Sequence, residues 1–306
     1  MKLFKYTKQV LKEFSADDIF KYSASLSYYT VFSIAPLLII VITTSSLFFG
    51  KEAVQGELYG NLSELIGSVA AIQVQDIIKN THLTGNNFIA NVISIIILLV
   101  ASTTIFGEIQ DSLNKIWGLR IKAKKVWWKL ILTRLLSFSL ILSLGLVLIV
   151  SVVLNALISG FGDLIDRFFN ISSAFFIEIA DYSLGFVVSV LLFSLLFKIL
   201  PDAKIKWKDV LIGGFVTSVF FTLGKFAIGF YLSRSKLASV YGAAGSVIIL
   251  MLWVYYSSII LYLGAEFTKV YAKLYGGKIF PNDYAEWIKI EEKKTLQPEL
   301  KDKDLS

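Results

Sequence analysis

The sequence predicts an all-α fold: a polytopic helical membrane protein with six transmembrane helices, both termini cytoplasmic, and short interfacial helices. Three observations predict it. Apolar residues fill 56% of the 306 positions and mean hydropathy is +0.69, above the range of ordinary soluble domains. They gather into runs of the length that crosses the ~30 Å hydrocarbon core of a bilayer. The clearest run, Gly242 to Ala265, holds no charge at all. Basic residues, finally, alternate from one connecting segment to the next.

Composition also excludes chemistry. There is no Cys, which removes disulfides, thiolate metal sites and cysteine nucleophiles, and the one histidine, His82, cannot form a histidine cluster. No cofactor, metal or catalytic residue is expected.

In chain order, residues 1–23 read as an amphipathic cytoplasmic segment. Leu3, Thr7, Val10, Leu11 and Phe14 fall along one helix face and Lys5, Lys8 and Lys12 on another, suited to an anionic membrane surface. Ser15-Ala16-Asp17-Asp18 fits a capping box that starts a new helix. A signal peptide is not expected, since the apolar run begins late, is long, and lacks a small-residue cleavage site.

Residues 24–275 form the membrane domain, with spans at about 24–49, 88–106, 130–158, 179–200, 210–232 and 243–265. Pro36 interrupts the first span and frees a backbone carbonyl, which kinks the helix. Residues 51–87 suggest one or two helices at the outer interface, from the spacing of Leu58, Leu62, Leu65, Ile66 and Val69. Trp127, Trp128 and Trp207 read as interface anchors. The third span is longer than the core is thick, so it tilts or projects. Pro201 stops the fourth. In the last span the small residues Gly242, Gly245 and Gly264 allow close helix packing. Residues 276–306 read as a charged cytoplasmic tail. No internal repeat is visible.

Orientation comes from the basic residues. The amino end, 107–134, 198–209 and the carboxyl end hold 24 of the 30 Lys and Arg; the intervening loops hold 5, and Lys225 lies within a span. That asymmetry places both termini in the cytoplasm and accounts for the net charge of +7 by topology, so no nucleic-acid partner is expected.

Several local patterns occur in order: Tyr28-Tyr29 with Pro36, Leu113-Asn114-x-Ile116-Trp117, Leu200-Pro201, Tyr241-Gly242-x-x-Gly245, Leu252-Trp253-x-Tyr255 and Gly264-Ala265-Glu266. Over roughly residues 15–275 the chain resembles the YihY/BrkB family of bacterial inner-membrane proteins, once mislabelled as ribonuclease BN. The resemblance implies an inner-membrane protein of about six helices. It implies no settled activity; transport roles have been suggested for the family.

Few residues stand out as chemical. Lys225 is charged at membrane depth, which marks either a cavity contact or a side chain snorkelling to the interface. Its helix also carries Gly214, Ser218, Thr222 and Gly229, a small and polar stripe suited to packing or to lining a path. Glu266 is a paired or proton-carrying carboxylate or, more simply, a solvated one beside Lys269. Glu108, Asp111 and Asn114 read as one face of a cytoplasmic helix. Tyr28, Tyr29 and Pro36 read as packing and kink residues. A metal-dependent ribonuclease would need clustered ligands that His82 alone cannot supply, and no phosphate loop or nucleophile elbow occurs. Two functions follow: a transporter or flippase for a lipid or small solute, with Lys225, Ser218, Thr222 and Glu266 as candidate contacts, or a structural or assembly protein that moves nothing; membrane lipids are expected partners in both. Oligomeric state is not readable.

Overall fold

The computed structural model describes residues 2–33, 72, 104–122, 174–234 and 245–288. In chain order these form α1 (Lys2–Ala16), α2 (19–33), α3 (104–116), β1 (Leu119–Ile121), α4 (Ala174–Ile199), β2 (Ala203–Lys204), α5 (Trp207–Arg234), α6 (Gly245–Leu274), β3 (Phe280–Pro281) and β4 (Ala285–Trp287). Among the described residues three helices are long and apolar enough to cross a membrane: Tyr182–Ile199 of α4, Trp207–Tyr231 of α5 and Val247–Leu274 of α6. They coincide with the fourth, fifth and sixth expected spans, the sixth running further than read. Of the first span only 24–33 is described, and of the second only 104–106, both helical. The third span, Pro36, Gly242, the tryptophans at 127 and 128, residues 289–306, and all of 51–87 except a helical Ile72 lie outside the described residues.

The long helices pack through small residues. A Cβ added at Gly214 would lie 2.8 Å from the Val190 carbonyl of α4, and the Ser194 hydroxyl donates to Val190 and Val210 carbonyls across the same contact. Between α5 and α6 two matching segments, Gly213-x-x-x-Thr217 and Gly264-x-x-x-Thr268, interlock antiparallel. A Cβ on Gly264 would sit 2.9 Å from that of Thr217, and one on Gly213 would sit 3.0 Å from that of Thr268. Each threonine donates its hydroxyl back to its own glycine's carbonyl, at 2.7 Å in both helices, so the hydroxyl oxygen that faces the other helix's glycine already has a partner for its proton. Where lipid is as apolar as leucine, close approach of this kind is what holds helices together. Val187 and Leu191 of α4 and Phe220, Leu223, Phe226 and Phe230 of α5 are exposed, an apolar surface that lipid would cover.

The buried core lies at one end of the bundle. Ile19 and Leu26 of α2, Leu113, Ile116 and Trp117 of α3, Phe197 and Leu200 at the end of α4, Val210 of α5, and Leu261, Tyr262 and Ala265 of α6 form one cluster. The described parts of the four lysine-rich segments meet at this same end.

Strands here are a departure from the all-α expectation. β1 pairs antiparallel with β4 (Leu119↔Trp287, Ile121↔Ala285), and β2 with β3 (Ala203↔Pro281, Lys204↔Phe280). Residues 279–288 are therefore folded and not part of a free tail: Ile279 and Ala285 are buried, and the chain reverses at Gly276-Gly277, followed by Lys278 at φ 61°. Gly118, at φ 71°, ends α3 and sends the chain into β1.

Two local readings change. Ser15 belongs to the last turn of α1, and Asp18, whose carbonyl accepts from Tyr22 N–H, opens α2; the capping box does not form at Ser15. On α1 the buried face is Tyr6 and Val10, packed on Val270, while Leu11 is 62% exposed and Thr7 is exposed. The helix docks on α6 through aromatic contact: the Tyr6 ring meets Phe267 edge-on at 5.1 Å and its hydroxyl donates to the Phe267 carbonyl at 2.9 Å.

Candidate functional site

Charged and polar side chains are buried at two centres in the base, and the first is built on Glu266. This residue is fully buried in α6. One turn on, Lys269 Nζ lies 3.1 Å from Glu266 Oε2, 2.8 Å from Glu13 Oε2 of α1 and 3.5 Å from Asp17 Oδ2 in the α1–α2 turn. Gln9 Nε2 donates to Glu13 Oε1 at 3.1 Å. Glu266 Oε1 is buried with no hydrogen-bond donor among the described residues, and the Asp17 carboxyl lies against it. The solvated reading of Glu266 therefore fails, because the α1–α2 turn covers it. Three carboxylates share one ammonium.

The second centre is Asp202, in the turn after α4. Gln110 Nε2 donates to its Oδ1 at 2.8 Å and Asn114 Nδ2 to its Oδ2 at 2.7 Å; its own N–H donates to Asn114 Oδ1 at 2.8 Å. Its carbonyl accepts from Asn282 N–H at 3.0 Å. The Tyr284 hydroxyl, beside Asp202, is pushed up to about 12 by burial and then by that carboxylate's charge, so it stays a neutral phenol. Nearby, Trp117 Nε1 donates to the Ala265 carbonyl at 3.1 Å. This centre is closed and satisfied. Asn114 uses the face it shares with Gln110, four residues back, whereas Asp111 is exposed. Residues 108, 111 and 114 drift around a helix at 100° per residue, so the expected common face is not the one buried.

The remaining candidates lie along α5. Gly214 is closed onto α4. Ser218 is fully buried and its Oγ has no partner among the described residues. Thr222 and Lys225 are half-buried, and no described atom lies within 4 Å of a Cβ at Gly229. Since Gly264 faces Thr217, Glu266 sits about ten residues below the level of Lys225, roughly 15 Å at 1.5 Å per residue. Ser218, Thr222 and Lys225 are thus grouped on one helix, and Glu266 belongs to a separate site. Gly245 is buried at the start of α6. Tyr28 and Tyr29 are in ring contact at 5.6 Å, and Tyr28 is exposed.

A family profile, described as Virulence factor BrkB, matches residues 10–283. The chain belongs to the BrkB family. Among relatives of this BrkB-family chain, a UPF0761 membrane protein of Pseudoalteromonas atlantica is 26% identical over 271 residues, covering 87% of this chain and 85% of the relative. One of Psychromonas ingrahamii is 27% identical over 275 residues, covering 87% of each. One of Mannheimia succiniciproducens is 24% identical over 266 residues, covering 84% and 86%. No solved structure matches. It is, accordingly, a membrane protein, and the BrkB-type motifs that lie far apart in sequence (Leu113 to Trp117, Leu200-Pro201 and Gly264 to Glu266) meet in its base.

Sequence reasoning on this BrkB-family chain missed Asp202, Glu13 and Asp17. Gln110 and Asn114, one turn apart and uncharged beside an exposed Asp111, were the available signal for the first. Nothing local pointed to the pairing of Glu13 and Asp17 with a lysine more than 250 positions away.

Acid should release α1. Burial pushes the Glu13 carboxyl up, but the hydrogen bonds from Lys269 and Gln9 and the charges of Lys269 and Lys273 outweigh it, holding Glu13 below the usual glutamate range. A lowered carboxylate contributes stability present above its unfolded value and lost as pH falls through the folded one. With no native cysteine to interfere, spin labels at Lys8→Cys and Leu274→Cys will report a fixed short distance at neutral pH that broadens below about pH 4. Glu13→Gln will broaden it at neutral pH; a distance indifferent to both changes would show that this ion pair does not dock α1.

Proposed function

We propose that this chain is a transporter or flippase of the bacterial inner membrane, moving a lipid or small solute, with both termini cytoplasmic and no catalytic role. The observation that carries the reading is Glu266: a fully buried carboxylate on a spanning helix, with one oxygen against Asp17 and no hydrogen-bond donor to it among the described residues. Ionisable groups at such positions are costly and are retained where they exchange partners or protons. A proton between Asp17 and Glu266 gives both facing oxygens a partner, and its loss leaves three carboxylates on one ammonium. The site can thus alternate between two hydrogen-bonded states, which suits coupling to a proton gradient. Lys225, Thr222 and Ser218, higher on α5, supply polar contacts for the moving species. The excess of lysine at the base supports its cytoplasmic placement.

The structural or assembly alternative also has support. The Asp202 carboxylate has both oxygens bonded, and α5 and α6 are closely packed. Reconstitution separates the two. Vesicles containing the protein, loaded with a pH dye and carrying a fluorescent phospholipid in one leaflet, should dissipate an imposed pH gradient and move the lipid faster than empty vesicles. Glu266→Gln should cut the proton-linked rate at least about tenfold, an effect of the size of a lost catalytic proton transfer. Lys225→Gln should slow the lipid while leaving insertion intact. Wild-type rates equal to those of empty vesicles for both probes would favour the structural reading.

A further inference from the structure

Between the end of α4 and the start of α5 lies an open groove of about 590 Å³, lined in part by Lys198, Pro201, Lys204, Trp207, Asn282 and Tyr284. Its depth follows from its position. Lys198 is in the last turn of the Tyr182–Ile199 span and Trp207 opens the Trp207–Tyr231 span, so the groove sits where two spans leave the hydrocarbon, whichever face that is.

The groove is basic. Lys198, Lys204, Lys206 and Lys208 fall within eleven residues, while two of the nearby acids are buried and engaged: Asp202 by Gln110 and Asn114, Asp209 by the Gly277 N–H at 2.8 Å. Among the described residues only Asp283 faces the groove as an exposed anion, paired to Lys204 at 2.8 Å with both side chains largely in solvent. Such a pair is weak, and an incoming anion replaces the aspartate at little cost. Lys198 is better fixed. Its ammonium donates to the Ile205 carbonyl and lies 5.7 Å over the Trp207 ring, which leaves two of its three N–H donors.

What continues from the groove names the ligand. Trp207, Leu211 and Phe215 are spaced by four and are 52%, 40% and 51% exposed, an apolar track down α5 from the lysines into the hydrocarbon. A free phosphate would use the lysines and leave this track bare. A phospholipid uses both.

We propose that this groove binds the phosphate of an anionic phospholipid, Lys198 and Lys204 holding the headgroup and the Trp207–Leu211–Phe215 track receiving an acyl chain. Basic pockets at the ends of spanning helices recognise headgroups in this way. The site is distinct from Glu266 and Lys225 and does not rest on transport.

Native mass spectrometry of the full chain, titrated with phosphatidylglycerol or phosphatidylcholine, tests it. The wild type should retain phosphatidylglycerol in preference. Each lysine removed should weaken that preference about fivefold, so Lys198→Gln with Lys204→Gln should abolish it. Lys204→Arg, in the groove itself, should keep it. Should Lys198→Gln disturb the turn through its Ile205 contact, Lys204→Gln alone, at a side chain largely in solvent, must still show the fivefold loss. Leu211→Ser should weaken phosphatidylglycerol without changing binding of inorganic phosphate. An unchanged preference in the lysine variants, or displacement of the lipid by inorganic phosphate at equal concentration, would overturn the assignment.

Discussion

Asp202→Ala is expected to be the most damaging single substitution in the base, costing about 3–5 kcal/mol. It strips the acceptors from two buried amides, Gln110 Nε2 and Asn114 Nδ2, at once. Each buried donor left unsatisfied costs about 1–3 kcal/mol, more when the lost partner was charged. The damage extends beyond α3, because the Asp202 backbone also receives Asn282 and so ties the carboxyl-terminal strands to the α4–α5 turn. Asp202→Asn should lose less, keeping one acceptor. Removing the side-chain polar groups together, as Leu at 110, 114 and 202, should recover only part of the loss, since the two amides go with their acceptor but the backbone N–H of residue 202 loses Asn114 Oδ1. Unfolding in mixed detergent, followed by tryptophan fluorescence, reads the series; a loss under 1 kcal/mol for Asp202→Ala would mean that water replaces the carboxylate and the centre is open.

Gly264→Ala should cost about 1–3 kcal/mol through overpacking, since its new Cβ would meet Thr217 in the interlocked contact. The decisive result is the pair. Thr217→Ala clears the space, so the double variant should be more stable than Gly264→Ala alone, with a coupling of about 1 kcal/mol or more. By the same geometry Gly213→Ala should be rescued by Thr268→Ala. Gly229→Ala serves as the control: with open space at its Cβ it should be neutral or stabilising by up to about 1 kcal/mol, the ordinary cost of glycine inside a helix. Equal losses at Gly264 and Gly229 would show that propensity, not contact, governs both.

How much of this was legible in the sequence depends on range. Spans show themselves locally, because a bilayer demands a charge-free run; α4, α5 and α6 were readable to within a few residues at most ends. The extra length of α6 was not, because Glu266 and Lys269 look like the water-exposed end of a helix until α1 is laid over them. The strands escaped notice for a related reason: β4 is three residues long and has meaning only against β1. Glycines on α5 advertised close packing, but what they meet lies on other helices: Ser194 of α4 for Gly214 and Thr268 of α6 for Gly213. Glu266 could be named a candidate from its position; its partners Glu13 and Asp17 could not, since the contact spans nearly the whole chain.

The hydroxyl of Tyr6 meets the carbonyl of Phe267 across 261 positions. Helix α1 therefore waits for α6 before its Tyr6 and Val10 face has its partner. β1 waits likewise for β4, and Asp202 for the backbone of Asn282. Closure of the base is a late event in synthesis, complete only once the ribosome has passed Trp287; until then the Asp202 contact with α3 and the Gly214 contact between α4 and α5 hold what has already emerged.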